Sequence, residues 1–350
     1  MEDIHPGLLV NPREIIPVLR RCSGHMTTHL QKKGKRKPGK DPASIPDMRS
    51  NEWVFAAIRE ALEGKDFESI EDANAFLQAK LASGDFSQKK KTGTTPLEKA
   101  QDIMYDAWDA KGKERIDLAY KALAVSKDCA DAYVLLSHEA SANLVEAIRF
   151  LEEGVSAGER ALGQKMFEEE AGNFWGILET RPYMRARFDL AHLLCIEGKR
   201  SEGIAHMQEL LRLNPGDNQG VRHELAGCLL DAGDMEALQK LLDEYPDEYS
   251  AVWLYSRALM KFRQDGRTPE TDVCLVAAFE QNRFVPLYLL NKKKFPARLP
   301  AYMGIGDDNE AVAYAGDSAQ VWMNTQGALM WMKLIHTTYR RKPMEKKVRS

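Results

Sequence analysis

The chain has 350 residues, of which 44% are apolar and 29% charged. That is enough apolar side chain for a sizeable core, too much length for one small core, and too little net charge for a largely disordered protein. The net charge of −3 is unevenly spread. Residues 1–50 carry ten basic and five acidic side chains and residues 337–350 carry six and one, which leaves −13 on residues 51–336. Such a body repels nucleic acid, and only the two ends could attract it.

Residues 1–50 read as a poorly ordered basic tail. Glu2, Asp3 and Pro6 with no long apolar core do not make a secretory signal. Residues 32–40 hold six cations interleaved with Gly and Pro, which cannot pack a core. From residue 51 the pattern changes: Trp53, Val54, Ala57, Ile58 and Leu62 share one helix face, and Phe76, Leu77 and Leu81 follow on a second. The reading is a helical hairpin over 51–84 and a linker over 85–95.

From residue 96 to about 286 glycines and short polar stretches recur every dozen or so residues, the mark of a helical repeat. The clearest unit spans 184–219. Leu190-Ala191 takes the Leu-Gly place of a tetratricopeptide unit, Gly198 the turn, Gly203 the small crossing position, Met207 the aromatic one, and Asn214-Pro215 the close. Further hairpins start near Ala100, Ala130, Gln219 and Val252, so five follow at near-constant spacing. An insertion over 163–182 separates the second and third; its Phe174, Trp175, Ile177 and Leu178 suit a helix plus tight loop packed on the stack. Residues 287–336 read as capping helices, one starting at residues 307–310 and another carrying Val321, Trp322, Leu329, Trp331 and Met332. The fold expected is all-α, a short tetratricopeptide-like solenoid, with a basic tail over 337–350. The longest apolar stretch, residues 284–290, is far short of the roughly 20 residues of a spanning helix.

Inner-face positions on the first helix of each unit are the second, fifth, ninth and twelfth. They assign Asp131, Val134, His138 and Ser141 to one unit, and Arg185, Phe188, His192 and Cys195 to the next. They assign His223 and Leu230 to the fourth unit, and Trp253, Ser256, Met260 and Arg263 to the last. Aromatic, His, Met and Arg side chains together suit a peptide groove, which needs a few apolar anchors and cations for a carboxylate. The alternative is that they pack against adjoining helices or the C-terminal segment.

The segments 128–137, 146–148 and 154–159 (Asp128-Cys129-Ala130-Asp131 through Gly158-Glu159) resemble the suppressor-of-tumorigenicity-7 family. The stretches 179–187 and 214–220 look like the soluble bacterial-type branch of tetratricopeptide proteins related to it. The resemblance covers about residues 96–335. It implies a helical-repeat fold and no catalytic chemistry. Animal members are regarded as membrane proteins, and with no spanning segment here that localisation does not carry over.

The remaining candidate chemistry is sparse. Cys22, His25 and His29 have the spacing of half a zinc site but no fourth ligand nearby, so no metal is assigned. The basic run has no interleaved aromatic side chain for base stacking. Glu168-Glu169-Glu170 point about 100° apart on a helix and do not converge. No nucleotide, zinc-protease or nucleophile-elbow motif is present. Five cysteines in an odd, scattered set suit free thiols in a reducing compartment, and hence the cytoplasm. The function expected is a non-enzymatic scaffold, without a cofactor, that binds a peptide or protein segment. Nucleic-acid association through the basic ends is one alternative. An enzyme using Glu169, Arg181 or His192 at the insertion is another.

Overall fold

The computed structural model describes residue 49 and residues 52–62, 64–84, 93–297 and 302–341. These form fifteen α-helices and two 3-10 turns, with no strand among the described residues. The all-α expectation is met. The helices fall into two units, one ending at Gln219 and one beginning at Gly220.

The first unit opens with α1 (Glu52–Leu62) and α2 (Ile70–Ala82). Three hairpins follow: α3 (Pro96–Asp109) with α4 (Lys113–Val125), α5 (Ala130–Glu139) with α6 (Leu144–Glu169), and α7 (Arg181–Glu197) with α8 (Arg200–Leu213). The second unit holds two more, α9 (Val221–Ala232) with α10 (Met235–Glu244) and α11 (Ala251–Asp265) with α12 (Pro269–Gln281). It ends with the short α13 (Val285–Leu289), α14 (Asp308–Asn324) and α15 (Ala328–Arg341). The two helices of each of the five hairpins pack on one another, and neighbouring hairpins pack together within each unit, as a helical repeat requires.

Local chemistry sets the boundaries. Thr95 caps α3 through the Glu98 amide while the Glu98 carboxylate returns to the Thr95 amide, with Pro96 in the first turn. Asn143, Asp234, Ser250, Thr268 and Asp307 each accept from a first-turn amide of their helices, and Thr268 also has the reciprocal bond, from its own amide to the Thr271 hydroxyl. Gly198 ends α7 in the left-handed region (φ 97°), where a Cβ would be strained.

Two small residues let helices approach. A Cβ at Gly203 would stand 2.6 Å from the Cys195 sulfur and 2.7 Å from the Ala191 carbonyl, which is why the α7–α8 crossing needs glycine there. A Cβ at Gly158 would stand 2.7 Å from the Tyr183 Cβ, so α6 can lie this close to α7 only with glycine. Met104, Leu135, Leu136, Leu151, Met184 and Leu193 fill the core of the first unit, and Tyr255, Leu259, Leu275 and Phe279 that of the second.

Three details differ from the sequence reading. α1 packs on α3 and on the 3-10 turn Leu178–Thr180, partners the sequence reading did not assign to it. Val321 and Trp322 lie in α14, which runs unbroken to Asn324, so the second C-terminal helix starts only at Ala328. And α14 packs along α9 and α11, the first helices of both hairpins in its unit, beyond closing an end. Within the insertion, α6 kinks at Gly163 and runs on to Glu169, and Phe174 lies fully buried against Phe167 and Tyr183 at 5.1 and 6.3 Å.

The Gly158→Ala substitution should lower stability by about 1–3 kcal/mol through overpacking against Tyr183. Gly176→Ala faces open space and should stay within about 0.5 kcal/mol of the parent. Urea unfolding followed by circular dichroism checks both.

Candidate functional site

In the first unit the inner face centres on Arg185, one turn into α7. Its guanidinium is buried and is held on two sides. Asp131, at the start of α5, takes two hydrogen bonds, from Nε at 2.8 Å and from Nη2 at 2.7 Å. Glu52, the first residue of α1, takes two more, from Nη1 at 2.8 Å and from Nη2 at 3.1 Å. Both pairs use the planar fork that makes Arg–carboxylate contacts strong and directional. Burial works against the charged guanidinium, but Asp131 and then Glu52 outweigh it and raise its pKa. Gln101 of α3 supplies a further hydrogen bond to Asp131 at 2.9 Å.

Arg181 stands one turn earlier on the same face of α7. It reaches Glu52 at 3.5 Å, hydrogen-bonds the Trp175 carbonyl at 3.0 Å, and its guanidinium lies over the Trp175 and Phe55 rings at 5.1 and 5.8 Å. The insertion holds this arrangement, because the Thr180 hydroxyl bonds the Phe174 and Ile177 carbonyls and fixes the start of α7. Two cations and two carboxylates therefore balance in one cluster. The nearby Tyr105 hydroxyl has its pKa raised by burial first and by Glu52 and Asp131 second. Burial pushes the Cys129 thiol up to about 12, so it stays protonated and unreactive at neutral pH.

The other inner-face residues predicted for this unit sit on the same helices. Val134 is fully buried on α5; Phe188 and His192 are buried on α7. His138 is buried with its Nε2 at 2.9 Å from a carboxylate oxygen of Asp189 of α7, a contact across neighbouring hairpins.

In the second unit α14 packs on α9 and α11, the helices that carry the predicted residues. Trp253, Ser256 and Met260 are essentially inaccessible. Half-buried Arg263 donates to the Leu230 carbonyl, to the Thr325 hydroxyl at 2.9 Å and to the Val321 carbonyl at 3.5 Å. The Trp253 ring meets His223 and Tyr245 edge-on at 5.8 and 6.0 Å. His223 Nε2 lies 3.2 Å from Glu248, which also accepts from Arg222 at 2.7 Å. Burial raises the Glu248 pKa, but the His223 and Arg222 hydrogen bonds and the Ser250 amide outweigh it, and the carboxyl is held well below the usual range. Glu310 of α14 anchors the covering helix: it accepts from the Ala251 amide at 2.7 Å and from Asn282 at 2.8 Å. As filled here, this face admits a peptide only if α14 leaves.

The residues named for a possible enzyme do not form one site. Glu169 is exposed beside Lys165, Arg181 belongs to the Glu52 cluster, and His192 is buried on α7. Among the described residues no group of His, Cys, Asp and Glu could hold a metal ion. Cys22, His25, His29 and the run 32–40 lie outside the described residues.

The model of the family described as ST7 protein matches residues 68–348. The chain belongs to the ST7 protein family. It is 29% identical over 269 residues to the suppressor of tumorigenicity 7 protein-like of Gallus gallus, covering 70% of this chain and 48% of that protein. The Homo sapiens protein of the same description is 29% identical over 256 residues, 67% of this chain and 44% of its own length. The ST7 homolog of Drosophila melanogaster is 26% identical over 264 residues, 68% and 48% respectively. The chain thus spans about half the length of the curated relatives it matches. No solved structure matches it. No helix among the described residues is long and apolar enough to cross a membrane. Asp131 and Arg185 lie inside the stretch that the family model matches, and Glu52 lies before it.

Repeat register alone placed Asp131 and Arg185 on one face. Glu52 was missed because it is 133 residues from Arg185 and no periodicity ties it to the hairpins; its one sequence signal is an acidic side chain at a helix start.

Two outcomes follow. Asp131→Ala should cost about 3–5 kcal/mol, since it strips a buried guanidinium of its partner inside the hairpins. Glu52→Ala should cost less, because the Asp131 fork persists; chemical denaturation separates the two. Glu248 has a folded pKa below the usual 4.5, so the unfolded chain binds its proton first and the stabilisation, complete above that value, is lost as pH falls below it. Between pH 7 and 3 Glu248→Gln should therefore show a shallower fall in unfolding free energy than the parent.

Proposed function

We propose that the chain is a non-enzymatic protein-interaction scaffold, and that the inner face of its first unit receives a peptide or protein segment. The observation that carries this reading is Arg185: a buried inner-face guanidinium that already accepts a carboxylate delivered by a separate helix. A face that binds one carboxylate-bearing helix has the chemistry to bind another. The tetratricopeptide-like register belongs to the same proposal. It is supported by the five consecutive hairpins, by glycine at the Gly203 crossing, and by the agreement of Asp131 and Arg185 with inner-face positions. Placement in the cytoplasm rests on the four described cysteines, which are free thiols, and placement in the soluble bacterial-type branch of the family rests on the resemblance of stretches 179–187 and 214–220. Nucleic-acid association through the basic ends is the second reading, and the −13 body charge weighs against it.

A photo-crosslinking amino acid placed at Trp175, beside the Arg181 cluster, tests the scaffold. The control is the same group at Tyr120, which is half exposed on α4, the second helix of its hairpin. In cells of the source organism a discrete partner should crosslink from position 175 and not from 120. Equal capture at both positions, or none at 175, would remove the inner-face reading.

A further inference from the structure

Each unit has its inner face covered by a helix that carries a glutamate in its first turn, but the two covers are built differently. In the second unit α14 buries Glu310 together with Ala311, Val312, Tyr314, Ala315, Val321 and Trp322. In the first unit α1 buries only Glu52. Its Trp53, Val54, Ala57 and Ile58 are half covered, Phe55 is 51% exposed, and α2 behind it buries no residue at all. A helix with so little buried apolar surface opens far below the global unfolding free energy. What holds α1 is a line of polar contacts. The Arg49 guanidinium lies 3.7 Å above the Trp108 ring, Glu52 is forked by Arg185, Phe55 lies under Arg181, and exposed Arg59 pairs with Glu179 of the insertion. Residues 52, 55 and 59 are spaced three and four apart on α1, one stripe of that helix, and Arg49 precedes it in the chain. The receiving residues, Trp108, Arg185, Arg181 and Glu179, all lie within the stretch shared with the ST7 protein family, whereas the stripe precedes it.

We propose that α1 is an occupant held in cis, and that the first unit's inner face is a receptor for a helical segment of another protein bearing the same stripe. That stripe is a glutamate, an aromatic three residues on and a cation four after that, with a further cation three residues before the glutamate. This rests on the scaffold reading above and specifies its ligand. The partner's glutamate replaces Glu52 on Arg185, so Arg185 and Asp131 stay paired throughout and the exchange strands no buried charge. Because α1 competes, the affinity seen by an outside segment is the intrinsic one reduced by the fraction of molecules with α1 released.

The test uses the full chain and a fluorescein-labelled peptide of residues 47–62, with binding read by anisotropy. The peptide should bind the Glu52→Ala protein at least tenfold more tightly than the parent protein. Phe55→Ala, a change at an exposed position that leaves the fold intact, should also bind more tightly than the parent. A peptide with Ala in place of Glu52 should lose at least tenfold on every protein. Equal binding to parent and both variants, or undiminished binding by the Ala peptide, would overturn the proposal. Hydrogen exchange on the unmodified protein gives a readout that needs no variant: α1 amides should exchange at least tenfold faster than α14 amides, and equal protection would overturn the releasable cover. A partner captured at Trp175 while these measurements fail would leave the scaffold standing and remove only this mechanism.

Discussion

A guanidinium taken out of water loses several kcal/mol of solvation, and it stays buried only where carboxylates return that energy in good geometry. Arg185 is such a group, and the first unit is arranged around it. Asp131 reaches it from the neighbouring hairpin, which fixes the register of α5 against α7. Gln101 extends the hydrogen bonding to α3, so the three first helices of the unit share one polar network. The aromatic packing of Phe167, Phe174 and Tyr183 sets where α7 begins, and thereby where both Arg181 and Arg185 point.

The second unit solves the same covering problem with apolar surface. Tyr255 meets Tyr314 and Trp322 at 5.4 and 6.4 Å, and Phe262 stacks on Trp331 at 4.4 Å, so α14 and α15 are parts of its core. Glu310 there closes a hydrogen-bond network that is already buried. A cover held by many apolar contacts resists local opening, and one held by a few polar contacts does not. The difference in composition between α1 and α14 is therefore a difference in dynamics, and it points to the first unit as the face able to exchange its occupant.

Much of this was legible in the chain itself. Amphipathic period and glycine spacing gave the five hairpins, because each is decided within about ten residues by helix geometry. The Gly203 crossing and the inner-face positions followed from the repeat, since a fixed spacing repeats a fixed geometry. The same reasoning ran out for Trp253, Ser256 and Met260. Their types suit a groove and a core equally, and α14, which packs on their helix, begins more than forty residues later.

The sequence by itself determined an all-helical chain of hairpins, the glycine turns within several of them, and the placing of Asp131 and Arg185 on one face. Those are consequences of periodicity and of glycine spacing. Only the tertiary structure decided that Glu52 completes the Arg185 cluster, that α14 fills the second unit's inner face, and that α1 lies on the first unit's face without burying its own apolar side chains. Each of these is a contact between segments far apart in the chain, fixed by shape and charge complementarity that no local pattern encodes.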